Sequence, residues 1–488
     1  MAKVLQEEVL LEKVLTEENV YNWKEAAKLY EKIAELFLNK NKKKKAAEFY
    51  YKSGWSFFYA AYASKNVEEL KENSKNLLRT LRKAANINKK IGNLSDELEC
   101  KGLILLTQAV YFMESKQDVL NLAKKSVEIL NRSIEIHEKD KKSKSELARK
   151  LNKYTLATAF LVYCSTDAKD VEETLQKGIN YAHEAWKISR DIKDLEKLAD
   201  SLDTEWLLWN SLIMVKDFKQ DKFWEDNLRN FLSRCDESQE IIGECKNSQI
   251  LRSIYAATGL AYFNFGFHYI QEEIEQRKYL DKGIKLIEKS IVCARETGNN
   301  FALIYLLFSI NFYTLVAGRI QYLQKRISKD INEVTKKGMI FKTSNLPTYI
   351  SANYLPAMYY SNFAQRSFFT TSQRKSYADK GIEYAQKALG NSVSDVWDCF
   401  SHQAASWSYS QLISLTTSKE DRKNFIQKMI KHANQAKENA DKFEGGISRA
   451  LGFSSLYRAY RTLSDIADNK KEKIKMLNVA IDASKNYI

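Results

Sequence analysis

Residues 380–388 read KGIEYAQKA, and close copies stand at 177–185 (KGINYAHEA) and 282–290 (KGIKLIEKS). Looser copies of this nonapeptide begin at residues 125, 337, 428 and 475. Successive copies start 43 to 55 residues apart, except for one interval of 105 residues, about two such steps. Self-similarity at a fixed period is typical of a solenoid, in which one structural unit stacks on the next. The sequence therefore predicts a repeat protein with a period near 50 residues.

The third, sixth and ninth positions of the nonapeptide are apolar or small, and this spacing lines one face of an α-helix. The second position is glycine in the three closest copies. A glycine inside a helix costs about 1 kcal/mol relative to alanine, so its presence there calls for a reason. We expect Gly178, Gly283 and Gly381 to mark close crossings between helices rather than approaches to a ligand.

The composition indicates an all-α chain. Among 488 residues there are only 2 prolines and 16 glycines, so little besides long helices and short turns is expected. Pro356 is expected to kink the helix that contains it. Aromatic-rich first helices alternate with nonapeptide-bearing second helices. The first helices are predicted near 145–164, 195–215, 247–270, 300–320, 347–368, 394–415 and 446–467. The second helices are predicted near 118–139, 168–191, 222–243, 277–297, 323–343, 372–389, 419–442 and 470–488.

Two consecutive helices near the N-terminus carry a family resemblance. Residues 23–40 (WKEAAKLYEKIAELFLNK) and 44–63 (KKAAEFYYKSGWSFFYAAYA) open alike and are joined by a basic turn. This order resembles the tetratricopeptide-repeat (TPR) superfamily, and residues 22–93 are similar to the soluble NSF-attachment proteins. The resemblance implies a right-handed α-α superhelix, here of about nine long hairpins with a wide concave groove. The period is longer than the family's, and the family's usual proline is absent, so no ligand-binding position is carried over.

The N-terminal resemblance and the repeat period together predict the domain organisation. Residues 1–93 are predicted to form N-terminal hairpins with the attachment-protein character, and residues 94–488 a continuous repeat array. No stretch looks like a linker, so we expect one elongated solenoid.

Net charge and cysteine content indicate which partners and which cellular compartment suit the chain. The net charge of +15 favours acidic partners, although the lysine runs fall mostly in turns. The six cysteines form no CxxC pair, which is typical of a reducing compartment. The N-terminal residues do not resemble a signal peptide, and the apolar stretch 301–316 is too short to span a membrane. A cytoplasmic protein without a membrane span is predicted.

No motif for catalysis, cofactor binding or metal binding is visible. The five histidines are scattered, and neither a phosphate-binding glycine loop nor a metal-ligand spacing occurs. Cys399 and His402 lie three residues apart on one helix face, where they could serve as nucleophile and base. Chance adjacency is the preferred interpretation, because no orienting third group accompanies them. We predict neither an enzyme nor a cofactor.

The candidate partner-binding residues are arginines late in the first helices and tyrosines near them. Arginine and tyrosine are enriched at binding hot spots, and arginine binds carboxylates and phosphates through two parallel hydrogen bonds. If they face the groove, these side chains form one recognition surface; if not, the arginines pair with neighbouring acidic residues. The candidates are Arg319, Arg366, Arg458, Arg461, Tyr313 and Tyr360.

The predicted function is a protein-protein interaction scaffold that binds an acidic or aromatic-anchored partner in the concave groove. Two alternatives remain open: an attachment-protein-like adaptor for a AAA+ ATPase, and a basic solenoid that binds nucleic acid. Nucleic-acid binding would weaken steeply with salt, because counterion release dominates it.

The last repeat copy predicts a self-association site. Residues 475–488 carry more apolar side chains than one preceding helix is expected to cover. A homodimer through Leu477, Ile481 and Tyr487 is the simplest arrangement.

Overall fold

The computed structural model describes residues 2–112, 115–140, 143–165, 169–215, 222–316, 320–342, 346–391, 394–443, 446–467 and 469–485. These residues form 20 α-helices and one short 3-10 helix, and no strand occurs among them. The prediction of an all-α chain is confirmed.

Helices with odd numbers are the first members of the hairpins. They are α1 (Ala2–Asn19), α3 (Lys43–Tyr62), α5 (Leu94–Tyr111), α7 (Lys144–Cys164), α9 (Leu195–Val215), α11 (Ser248–Tyr269), α13 (Asn300–Val316), α15 (Leu346–Phe363), α17 (Asp395–Leu415) and α19 (Gly446–Ile466). The second members are α2 (Trp23–Asn39), α4 (Val67–Lys90), α6 (Lys116–Lys139), α8 (Lys169–Asp191), α10 (Lys222–Ile242), α12 (Glu273–Glu296), α14 (Ile320–Gly338), α16 (Thr371–Leu389), α18 (Lys419–Ala440) and α20 (Lys470–Lys485). The described helices make ten pairs, one more than expected, and each predicted helix is present with its ends shifted by a few residues.

Local signals place the ends of these helices. Thr370 caps α16 through a capping box, in which its hydroxyl accepts from the Gln373 backbone N–H and the Gln373 side chain accepts from the Thr370 backbone N–H. The Ser115 hydroxyl caps α6 by accepting from the Asp118 backbone N–H, and the Ser418 hydroxyl caps α18 by accepting from the Asp421 backbone N–H. Such polar caps satisfy backbone donors that a helix start leaves free.

Each helix packs on the next along the chain, so the described helices form an α-solenoid. From α5 through α19, each odd-numbered helix also contacts the next odd-numbered helix. These helices form an inner layer. Their aromatic and aliphatic side chains are buried on nearly every face, as in α11 and α17. The even helices form an outer layer that buries one face and exposes the other.

Inner helices contact the helix ten places further along the chain. The packed pairs are α3 with α13, α5 with α15 and α9 with α19. Between α3 and α13, the rings of Tyr62 and Phe301 stack with centroids 4.4 Å apart. Tyr163 of α7 reaches α17, where its backbone oxygen accepts from the Ser394 hydroxyl and its ring packs on Trp397. One superhelical turn therefore takes five hairpins, and inner helices of the second turn (α13, α15, α17 and α19) pack on those of the first (α3, α5, α7 and α9). A right-handed superhelix stays a prediction.

Rings of the inner layer connect the two turns. Tyr62 packs on Phe301, and Tyr163 packs on Trp397. The wide concave groove stays a prediction. The proposed division between residues 93 and 94 falls at the turn from α4 to α5, two helices that pack on each other like the other neighbours.

The nonapeptide glycines lie inside helices at close crossings. A Cβ on Gly283 would stand 2.9 Å from the Gly259 backbone oxygen, and one on Gly381 would stand 2.3 Å from the Ser408 hydroxyl oxygen. A Cβ on Gly178 would meet Thr158 and Leu208 at 3.1 Å. The prediction that these glycines mark helix crossings is confirmed.

Candidate functional site

A cavity, which we call the axial cavity, lies among inner helices α3, α5, α7, α9 and α13 and the outer helix α4. It contains about 930 Å³ of space not filled by atoms, part of it open to solvent. Its walls are mostly aromatic and aliphatic, with large rings from Trp55, Phe58, Phe160, Phe301 and Tyr305. Sites for small molecules in proteins are typically concave and mostly apolar. The cavity has the lining of such a site.

A buried lysine lines an adjoining part of the space, which shares Trp55 and Leu156 with the cavity just described. Lys153 is 7 % exposed, and its ammonium lies 3.5 Å from the centre of the Trp55 ring. The nearest carboxylate is that of Asp200, 3.7 Å from Nζ, which is beyond hydrogen-bonding distance. Burial lowers the pKa of Lys153, and Asp200 opposes that shift. Beside it, Arg252 is paired with Asp203 at 2.8 Å.

A second candidate site lies on the surface of α17 and α19. The Arg458 guanidinium stacks on Trp407, with its central carbon 3.8 Å from the ring centroid. Arg461 is exposed, and it donates a hydrogen bond of 2.8 Å to the Tyr457 hydroxyl. Arg458 and Arg461 are three residues apart and share one face of α19. We call these four residues the Arg-aromatic surface.

The other candidate residues are placed differently. Tyr313 was expected on an exposed face, but it is 4 % exposed, stacks on Phe263 and bonds through its hydroxyl to Asn264. Because both sides of α13 are covered by other inner helices, that expectation is wrong. Arg366 follows the end of α15 and is half-buried. Arg319 and Tyr487 lie outside the described residues.

Tyr360 belongs to a ladder of rings between α15 and α16. It stacks on Tyr377 and Tyr384, with both centroid distances at 5.9 Å, and the Lys380 ammonium lies 5.3 Å from its ring. Tyr360 therefore packs toward the outer helix of its own hairpin. It is separate from the Arg-aromatic surface.

The C-terminal helix exposes part of its apolar side. Ile474 is 49 % exposed and Ile481 50 % exposed, while Leu477 is half-buried. Self-association through this helix stays a proposal. Light scattering of the wild type and of the Leu477→Glu/Ile481→Glu variant checks it: we expect a dimer for the wild type and a monomer for the variant. A wild type that is monomeric at high micromolar concentration would rule it out.

His402 contacts a second histidine rather than Cys399. Its Nδ1 lies 2.8 Å from Nδ1 of His432, and the His432 ring stacks on Tyr409. The Cys399 thiol instead donates to the Ser448 backbone oxygen, and burial raises its pKa. The arrangement does not support a nucleophile-base pair at Cys399 and His402.

The histidine pair predicts a loss of stability in acid. Burial lowers the pKa of both imidazoles to about 4, from an ordinary value of 6.5. Between these values the unfolded chain binds more protons than the folded chain, so stability is full above pH 6.5 and falls as the pH drops toward 4. The free energy of unfolding is expected to fall by at least about 1.4 kcal/mol over this range, the equivalent of one pKa unit.

Chemical denaturation at a series of pH values checks this prediction. A His402→Gln/His432→Gln variant keeps two side chains that can hydrogen-bond to each other but removes both titrations. Its stability should depend less on pH across that window than the stability of the wild type. Equal pH dependence in the two chains would contradict the prediction.

Among the residues described, no three histidine, cysteine, aspartate or glutamate side chains come together as a metal site would require. None of the helices formed by those residues has the length and apolarity needed to cross a bilayer. All six cysteines are free thiols.

Sequence reasoning missed the axial cavity and Lys153. The signal that could have found Lys153 is its position within the apolar stretch LNKYTLATAFLV of an inner helix, where a lysine must be buried. Trp55 lies in the second of the two N-terminal helices that carry the TPR resemblance. Its closeness to Lys153 depends on contacts between α3 and α7 that no local pattern reveals.

Comparisons with known proteins give only distant likenesses. No family model matches the chain, and no curated protein matches it. A circular tandem repeat protein with a novel repeat topology covers 100% of this chain and 96% of its own, at 12% identity and a TM-score of 0.21. A structure of Naa15/Naa10 bound to HypK-THB covers 99% and 94%, at 12% identity and a TM-score of 0.18. Such low scores carry no argument, so the fold rests on the helices and contacts described above.

Proposed function

We propose that this chain is a non-enzymatic scaffold that binds a protein partner through the Arg-aromatic surface. The observation that carries the proposal is the stack of Arg458 on Trp407 beside the exposed Arg461. Tryptophan, tyrosine and arginine are the residues most enriched at binding hot spots. Two guanidinium groups on one helix face favour an acidic partner, in agreement with the net charge of +15.

Charge reversal tests this proposal. The variant Arg458→Glu/Arg461→Glu should recover at least about tenfold less partner from the native cell, because loss of a hot-spot residue costs more than about 1 kcal/mol. Because Arg458 is half-buried on Trp407, the single variant Arg461→Glu, at the exposed position, is measured beside the double variant and should lose partner with its melting temperature close to that of the wild type. The matched control is Arg277→Glu, an exposed arginine on the outer helix α12. Equal recovery by the wild type and the double variant would refute the proposal.

Salt dependence separates the two alternatives from this proposal. Nucleic acid as the partner would be released steeply as salt rises, because binding releases counterions from the phosphates. A protein partner held by aromatic stacking as well as by charge should be lost more gradually. Recovery of a AAA+ ATPase that depends on Arg458 and Arg461 would support the adaptor alternative.

A further inference from the structure

We propose that the axial cavity binds a single-chain amphiphile, with its oxygen-bearing head at Lys153 and its apolar chain along the superhelix axis. The ligand class is a long-chain acid or ester whose head presents carboxylate or carbonyl oxygens. This site is distinct from the Arg-aromatic surface, and the inference does not depend on the proposed scaffold function.

The head position follows from the environment of Lys153. The buried ammonium forms an ion pair with Asp200 at 3.7 Å, too long for a hydrogen bond, and no acceptor lies at hydrogen-bonding distance among the described residues. A buried ammonium is costly unless it is paired and hydrogen-bonded. An oxygen acceptor in the cavity supplies the missing bonds, while Trp55 covers the opposite side of the ammonium. The neighbouring Arg252 is already paired with Asp203, so Lys153 is the donor left for a ligand.

The tail position follows from the shape and lining of the cavity. On α9 the lining runs from Asp203, near Lys153, to Ser211, over which the helix advances about 12 Å. Along that path the walls are supplied by Trp55, Phe58, Leu156 and Leu207. An elongated apolar chain buries its surface against these side chains, and this burial drives its entry. Helices α3, α7 and α9 of the first turn and α13 of the second line this path.

Titration of the lipid-stripped full-length protein tests the assignment. The probes are dodecanoic acid, its methyl ester and dodecane, with binding followed by calorimetry and by native mass spectrometry. The acid and the ester should bind at least about tenfold more tightly than the alkane, since hydrogen bonds to charged groups contribute about 1.5–3 kcal/mol. Tighter binding of the acid than of the ester would identify a carboxylate head, and the reverse a neutral carbonyl head.

Two variants separate the head from the tail. Lys153→Met removes the ammonium and should abolish the preference for oxygen-bearing probes while leaving dodecane binding unchanged. Leu156→Trp fills the cavity and should abolish binding of all three probes, with a folded helical spectrum as the control. Lys153→Arg keeps a donor and should retain the preference. The assignment is overturned if the wild type binds neither acid nor ester, if Lys153→Met keeps the preference, or if a short apolar peptide with a free C-terminus binds more tightly than the acid.

Discussion

Replacing Arg234 with methionine is expected to lower the free energy of unfolding by about 3–5 kcal/mol, because it leaves a buried carboxylate without its counter-ion. Arg234 of α10 donates from Nη2 to both carboxylate oxygens of Glu205, at 2.6 and 2.7 Å. Glu205 is completely buried, and its only other hydrogen bond among the described residues comes from the Trp209 indole at 3.3 Å. Burial raises the pKa of Glu205, and Arg234 opposes that shift. Urea denaturation of the two chains measures the loss.

Two controls accompany the Arg234 variant. Arg229→Met removes an exposed arginine of the same helix, which pairs with Glu225 at 2.9 Å, and should cost no more than about 1 kcal/mol. Adding Glu205→Gln to Arg234→Met removes both charges and should restore much of the lost stability. If Arg234→Met costs no more than Arg229→Met, the pair is not buried as described.

Truncating Trp397 to alanine is expected to cost about 3–5 kcal/mol, since a large buried ring is lost and a cavity remains. Trp397 is 3 % exposed and links the two superhelical turns. Its ring lies 5.7 Å from that of Tyr163 in the first turn, and 5.8 and 5.6 Å from those of Phe308 and Tyr354 in the second. The measurement is the free energy of unfolding in denaturant.

The conservative variant at this position is Trp397→Phe. The Trp397 indole N–H has no hydrogen-bond partner within the described part of the chain, so phenylalanine removes no hydrogen bond and keeps most of the ring contacts. Its cost should be clearly smaller than that of alanine. Equal losses for the two variants, or a loss below about 1 kcal/mol for Trp397→Ala, would contradict the packing between the turns.

The helices and their crossings could be predicted because the relevant signals are local. The period of the nonapeptide placed the second helices, and Gly283 inside a helix indicated a close crossing, which the Gly259 backbone oxygen now explains. A glycine in a helix carries a cost that only close packing offsets, so such a position is informative without any long-range knowledge.

The closure of the superhelix could not be predicted in this way. The repeat period sets the length of a hairpin but not the rotation from one hairpin to the next. That rotation decides whether inner helices face solvent or another turn. Tyr313 was therefore expected on an open groove and is buried against Phe263. Lys153 was missed for the same reason, because its surroundings come from separate hairpins.

Zero-length crosslinking with a carbodiimide tests the stacking of the two turns most directly. The Lys116 ammonium lies 2.5 Å from a carboxylate oxygen of Asp398 and 3.3 Å from one of Asp395, although 282 and 279 residues separate them along the chain. The monomeric fraction should yield a peptide in which Lys116 is joined to Asp395 or Asp398. The neighbouring-hairpin pair Lys24 and Glu72, 2.9 Å apart, is the positive control. Recovery of the Lys24–Glu72 link without any link from Lys116 to Asp395 or Asp398 would show that the turns do not stack.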